Sequence, residues 1–528
     1  MIKRIVTAMA AMAAVALASA GCGDYDAQLE ALRGEADSLQ RVIGAIEVPE
    51  AQQPSDVPST DFSFSFDKAR YGVDAGGSVT VAYTLPRAAE VSVSAVDGWS
   101  ASVVSSGESS GEVILTAPDP ASPANLVISA VDAEGNVTAA PLPVMVRDPY
   151  TAATRTSVGS MAYFSLNESM ANDYHYGKMA DAGINMMSVE GDDNYDEHFR
   201  LAQKYGIKVV FFINMYTGRY YRDPDNYTGL DDIINKVKDY PALCAYQIED
   251  EPSTDDIEQL AVIRKHVNEL DPVHPVYLNL NSATASRYTL GVNEYEDYVE
   301  SYVSGCGLEL ITFDQYPVYL GYIDHSWIKS LAIVRSTARR HGIPFWAFAQ
   351  SCRLGKREDP TLATLRLQCN TNLAFGAQVN QYFVWRATSG TNYAPVMGDG
   401  SYTGAYDVCR DYNREMHSRG FVFAGCSVPY VAFTNVIQDY VDSFDKSTLP
   451  EQISNLETSG EAIVSYVENC GNRYVVVQNF SWQTGQILSI EVEDMVYGID
   501  REGVFTEYAP GTYDITIDEG DMAVFKIV

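Results

Sequence analysis

The sequence predicts a multidomain chain in which an α/β (β/α)8 barrel of the TIM type is flanked by two β-sandwiches. Three observations predict it. Between residues 157 and 387, eight short segments of strand character alternate with helical patterns. Before and after this region the apolar residues recur with period two and no helical window intervenes. The fourth of the eight segments, in Ala242–Ser253 (ALCAYQIEDEPS), ends in Glu249, Asp250 and Glu251 and is stopped by Pro252. A carboxylate cluster at the carboxyl end of a barrel strand lies where this architecture puts its chemistry.

The 528 residues suggest three or so domains, and 46% hydrophobic with 11% aromatic residues can bury large cores. Seventy Asp and Glu against 36 Lys and Arg argue against nucleic acid, because little would neutralise phosphate. Most of this charge is expected simply to keep a secreted surface soluble.

Residues 1–21 read as a secretory leader: Lys3 and Arg4, an apolar run from Ile5 to Ala18, then Ser19-Ala20-Gly21 before Cys22. The run is too short and too alanine-rich for a spanning helix. Small residues directly before a cysteine resemble the lipobox of bacterial lipoproteins, in which Cys22 becomes the lipidated first residue. That implies a lipid anchor on the bacterial outer membrane, at the cell surface or the periplasmic face. Residues 22–60 then form a stalk and linker. Leu29, Leu32, Ala36, Leu39, Ile43 and Ile46 make a short heptad seam over 24–47, expected to self-associate weakly, and 48–60 are rich in Pro and Ser. The remaining seven cysteines show no CxxC or Cys/His spacing, and buried free thiols are expected.

Residues 61–148 carry alternating runs such as SVTVAYTL, VSVSAV and EVILTA between turn signals, which indicate an immunoglobulin-like sandwich. In 150–425 the candidate strands are Val158–Phe164, Ile184–Val189, Ile207–Asn214, Leu243–Ile248, Val276–Leu280, Leu310–Phe313, Pro344–Ala349 and Asn380–Trp385. Amphipathic helices such as Asp255–Leu270 and Ser326–His341 lie between them, with Gly206 and Gly342 marking helix ends. A doubly wound sheet is the alternative, but no glycine-rich phosphate loop follows the first strand. Residues 428–528 return to period two (AIVSYVEN, RYVVVQNF, MAVFKIV) and predict a C-terminal β-sandwich.

The strand ends bring forward Tyr163, Glu190, Asn214, Glu251, Asn279 or Asn281, Asp314, Gln350 and Trp385. Acids and amides suit hydroxyl groups, and aromatic faces suit the apolar side of a sugar ring. None of the seven His lies at a strand end beside an acid, so neither a metal nor another cofactor is expected.

These strand ends resemble the large clan of (β/α)8 glycoside hydrolases that carry an Asn-Glu pair at the end of strand four. In that clan the Glu is the general acid/base, and the matching pair here is Asp250-Glu251, followed by Pro252. The segments ITFDQYPV, PFWAFAQS and NQYFVWR resemble strands six to eight of such enzymes. The resemblance implies a carbohydrate substrate, Glu251 as proton donor, and Trp385 as an aromatic floor under the sugar. One position departs: the clan's nucleophile is a Glu at the end of strand seven, where this chain has Gln350. An amide cannot be that nucleophile. Asp314, before Gln315-Tyr316-Pro317, is the expected second carboxylate, with Glu190 as runner-up. Asp250, Glu190, Asn214, Asn279, Tyr316, Gln350 and Trp385 are the expected substrate contacts. A silent glycan-binding lipoprotein on a degenerate barrel is the alternative function.

Overall fold

The computed structural model describes residues 62–66, 71–74, 76–94, 98–105, 107–118, 126–142, 144–147, 158–190, 194–213 and 228–528. The leader, Cys22, the heptad seam and Asn214 lie outside the described residues. Among the described residues, no helix is long and apolar enough to cross a membrane.

Eight parallel strands close into a barrel in sequence order: Gly159–Ala162, Met186–Glu190, Lys208–Phe212, Leu243–Asp250, Val276–Leu280, Ile311–Phe313, Phe345–Gln350 and Val379–Phe383. Closure is made by the first strand, which pairs with the eighth from Gly159↔Val379 to Ala162↔Tyr382. Each strand is buried on both faces, so the residues read as apolar runs rather than as alternation. Met161, Val210, Ala245, Tyr277 and Trp346 fill the interior. Their neighbours Ala162, Val209, Tyr246, Leu278 and Ala347 pack outward against the helices. The helices Tyr195–Tyr205 and Ser326–His341 each end on a left-handed glycine, Gly206 (φ 69°) and Gly342 (φ 64°), which reverses the chain into the next strand.

The N-terminal strands form a four-stranded sheet and a three-stranded antiparallel sheet, with a two-stranded parallel pair. Their alternation buries Val81 and Tyr83, Val113 and Leu115, and Ile128 and Ala130. After the barrel come a seven-stranded and a three-stranded sheet. The larger one also has two buried faces. Val464, Val475, Val477 and Phe525 meet the smaller sheet, while Ile463, Tyr474, Val476 and Val524 join the barrel's cluster.

The barrel helix Leu362–Phe375 sits at that junction and is buried all round, although its sequence is half polar. Its polar groups bond across the interface. Thr371 donates to Gln478 at 2.9 Å, Asn370 to the Gly520 carbonyl at 3.0 Å, and Ser465 donates to the Ala374 carbonyl at 2.8 Å. Polar side chains here fix how the barrel and the C-terminal sheets meet, since each has a specific partner.

Candidate active site at the barrel mouth

The site is built by an irregularity in strand four. Gln247 points inward, opposite Tyr277, and strict alternation would next bring Glu249 to the interior. Instead the register slips between Gln247 and Glu249, so that Glu249 pairs with Leu278 and Asp250 with Asn279. Leu278 faces outward, and Asn279 is buried within the mouth. The bulge therefore turns Asp250 to the inside and Glu249 away from it. Glu249 accepts the Asp250 backbone N–H at 3.0 Å. Glu251 then adopts φ 50°, left-handed for a non-glycine residue and worth about 1–3 kcal/mol of strain.

That conformation is held from several sides. The Glu251 N–H donates to the Asn279 carbonyl at 2.8 Å, and the Glu251 carbonyl accepts from Asn281 Nδ2 at 2.9 Å. Tyr298 donates to the Pro252 carbonyl at 2.8 Å and Tyr302 to the Ser253 carbonyl at 2.5 Å. Ser253 and Asp256 cap the following helical turn, so Glu251 is not itself the cap. As a result the Glu251 side chain meets Asp314, at the end of strand six, in hydrogen-bond contact between the two carboxyls.

Asn279 ties this pair to Asp250. Its Nδ2 donates to Asp250 Oδ1 at 2.9 Å and, more weakly, to Asp314 Oδ1 at 3.5 Å, while Thr312 donates to its Oδ1 at 2.8 Å. Below lies a buried relay in which Tyr277 donates to Gln247 Oε1 at 3.2 Å and Gln247 Nε2 donates to the Tyr163 hydroxyl at 3.0 Å. The Tyr163 hydroxyl stands beside Asp250, and that of Tyr316 faces Asp314.

Such crowding of acids decides where a proton sits. Burial, then the charge and hydrogen bond of Glu251, then the charge of Asp250 hold the Asp314 carboxyl well above the usual carboxylate range. Asp250 stands open to solvent at the mouth, yet the surrounding walls and the charge of Glu251 raise it too, against the lowering effect of Asn279. Burial likewise raises Glu249.

Of the sequence-expected residues, the structure brings together Glu251, Asp314, Asp250, Asn279, Tyr316 and Tyr163. Glu190 ends strand two and is exposed. Two expectations need correction. Gln350 is 2% exposed, and its amide nitrogen donates to the carbonyls of Cys352 (2.7 Å) and Glu358 (2.8 Å). The nitrogen ties down its own loop and the side-chain oxygen is buried without a partner among the described residues, so it is burial that closes this amide to a sugar hydroxyl. Trp385 lies two residues beyond the end of strand eight and is fully buried, its ring edge-on to Tyr406 at 6.2 Å. A ring without exposed area cannot be a floor.

An aromatic residue that does keep exposed area is Phe383, half-buried at the end of strand eight, 5.0 Å from the Tyr316 ring and 6.1 Å from half-buried Phe164. Phe383, Gln247 and Asn281 complete the surroundings. Gln247 was legible as a lone polar residue within an apolar strand; Phe383 was hidden by the neighbouring Trp.

No family model matches the chain, and no curated protein matches its sequence. Solved structures similar to it include a family 39 glycoside hydrolase from the gut symbiont Bacteroides cellulosilyticus WH2. That match has TM-score 0.44 and 10% identity, over 88% of this chain and 100% of that one. Alpha-galactosidase I from Mortierella vinacea matches with TM-score 0.41 and 6% identity, over 70% and 97%. A Bacteroides ovatus GH5 xyloglucanase matches with TM-score 0.33 and 10% identity, over 66% and 98%.

Proposed function

We propose that this chain is a glycoside hydrolase whose proton donor is the Glu251–Asp314 pair. The observation that carries the reading is two neighbouring carboxyls from strands four and six at a barrel mouth, one of them raised first by its burial and then by the other. Such a pair stores a proton where solvent alone would strip it from an isolated carboxylate. Glu251, the more exposed member, reaches the glycosidic oxygen, and Asp314 supplies the proton.

The same contact revises the expectation that Asp314 is a nucleophile or base facing Glu251 across the sugar. Retaining enzymes hold their two carboxyls about 5–5.5 Å apart and inverting ones about 6.5–9.5 Å, whereas these two touch. Asp250, on the same Asn279 amide, is the third carboxyl of this cluster and the one open to a bound hydroxyl or water.

A second reading, glycan binding without cleavage, is favoured by one observation: strand seven ends in an amide already occupied by its own loop. Reducing-end release from a panel of glycans, with Glu251→Gln and Asp314→Asn as controls, separates the two. Release that survives both substitutions overturns the pair as donor; no release from any glycan favours binding alone.

The lipid anchor at Cys22 belongs to the same proposal. Cells fed a labelled fatty acid should label the wild-type chain and not Cys22→Ala.

A further inference from the structure

The loop after strand six makes a short hairpin, Val318–Tyr319 with Tyr322–Ile323, that leaves the barrel mouth and meets the C-terminal sheets. Between the hairpin and the turn at 481–485 lies a groove of about 540 Å³. Tyr322, 56% exposed, stands on the barrel side, and half-buried Trp482 on the other. Gln483 and Glu461 are exposed at its rim, and no Lys or Arg lines it among the described residues.

The groove is rigid where rigidity matters. Asn479 Nδ2 donates to the Thr484 carbonyl at 2.9 Å, and Gln486 Oε1 accepts the Gly460 N–H at 3.0 Å, fixing both turns. It is also connected to the acid pair. Phe383 packs on Tyr316, whose hydroxyl faces Asp314; the Arg357 guanidinium lies 5.6 Å over Tyr316 and 4.7 Å over Tyr319. Tyr319 in turn stacks on Tyr322 at 5.0 Å with planes 5° apart. Arg357 is fixed by bonds to the Tyr316 carbonyl (2.8 Å) and the Tyr319 hydroxyl (3.1 Å). One continuous ladder of flat groups therefore runs from the mouth to the groove.

Flat apolar faces beside amide and carboxylate edges and the His325 ring, in a groove of ligand size that no Lys or Arg lines among the described residues, suit an uncharged polyol. We infer that this groove binds a distal stretch of a neutral polysaccharide whose other part lies at the barrel mouth. The inference rests on the glycan reading of that mouth and assigns the C-terminal sheets a part in substrate binding.

Native affinity electrophoresis of the full chain tests it, in gels containing a soluble β-glucan, a galactomannan, an arabinoxylan or polygalacturonate. Retardation is expected in at least one neutral polymer and not in polygalacturonate. Trp482→Ala should weaken it about tenfold, and Tyr322→Ala and Gln483→Ala by a smaller factor. The last two alter exposed side chains, so they keep the test alive if Trp482→Ala fails to fold. No retardation in any neutral polymer, or retardation unmoved by these changes, overturns the inference. Reducing ends from the same polymers keep the two proposals apart. Release lost in Asp314→Asn while Trp482→Ala binds normally removes the groove and keeps the hydrolase. Groove-dependent retardation with no release by the wild type does the reverse.

Discussion

Strands four and seven end at the same rim, and each carries a polar residue where chemistry is expected, yet the outcomes are opposite. At strand four a bulge and a left-handed residue turn Asp250 inward and Glu251 toward Asp314, leaving carboxyls crowded together and open to the mouth. At strand seven the ladder is regular, from Ala347↔Asn380 to Gln350↔Phe383, and Gln350 is buried under its own loop. Position at a strand end brings a side chain near the mouth. The local backbone decides whether it is left reactive or absorbed into structure.

The largest expected effect tests the strand-four side. On the proposed mechanism Asp314→Asn removes the shared proton and Glu251→Gln the group that delivers it, so each should cost about 10²–10⁴-fold in turnover. The double variant should be little worse than either single one, because the two residues act as a unit. Independent losses that multiply would mean separate roles, and the comparison would lose its first half.

Next comes strand seven. Gln350→Glu keeps the shape but replaces a donor of two bonds by an acceptor facing the Cys352 and Glu358 carbonyls. Each buried carbonyl left unpaired costs about 1–3 kcal/mol, and a buried charge adds to it. A fall in denaturation midpoint without gained activity is expected. If the variant instead keeps its stability and turns over substrate faster, strand seven is a reactive end after all.

The third effect is one of pH. Asp314 has a raised carboxyl in the fold, so between the ordinary aspartate range and its raised value the native state holds a proton that the unfolded chain has lost. Stability must therefore fall as pH rises through that window and level off above it. Asp314→Asn should reduce this slope to the part that the raised Asp250 and Glu249 contribute, and leave the inactive protein more stable than wild type at neutral pH, read by denaturant titrations across pH. Activity should fall over the upper part of the window as the stored proton is lost.

Much of this was legible before the structure, for physical reasons. Eight buried strands, helix ends at Gly206 and Gly342, and the acids before Pro252 are local signals that survive in one dimension. The strand-four bulge is not local: it appears only when Gln247 and Glu249 are set against Tyr277 and Leu278. The same holds for Gln350, whose partners Cys352 and Glu358 depend on how the following loop folds back. The helix Leu362–Phe375 also reads poorly as a surface helix, since its polar groups find partners in another part of the chain.

The smallest functional effect is expected at Trp385, where the sequence suggests a sugar floor and the structure has core. The ring is fully buried and its indole N–H has no partner among the described residues, so Trp385→Phe breaks no hydrogen bond. It leaves a cavity beside Tyr406 and should cost about 1–3 kcal/mol of stability. The KM for any substrate that is cleaved should stay where it was, while Phe383→Ala, at the true end of strand eight, should raise it. A KM rise in Trp385→Phe equal to that in Phe383→Ala would return Trp385 to the site and show that the mouth opens deeper than strand eight's last paired residue.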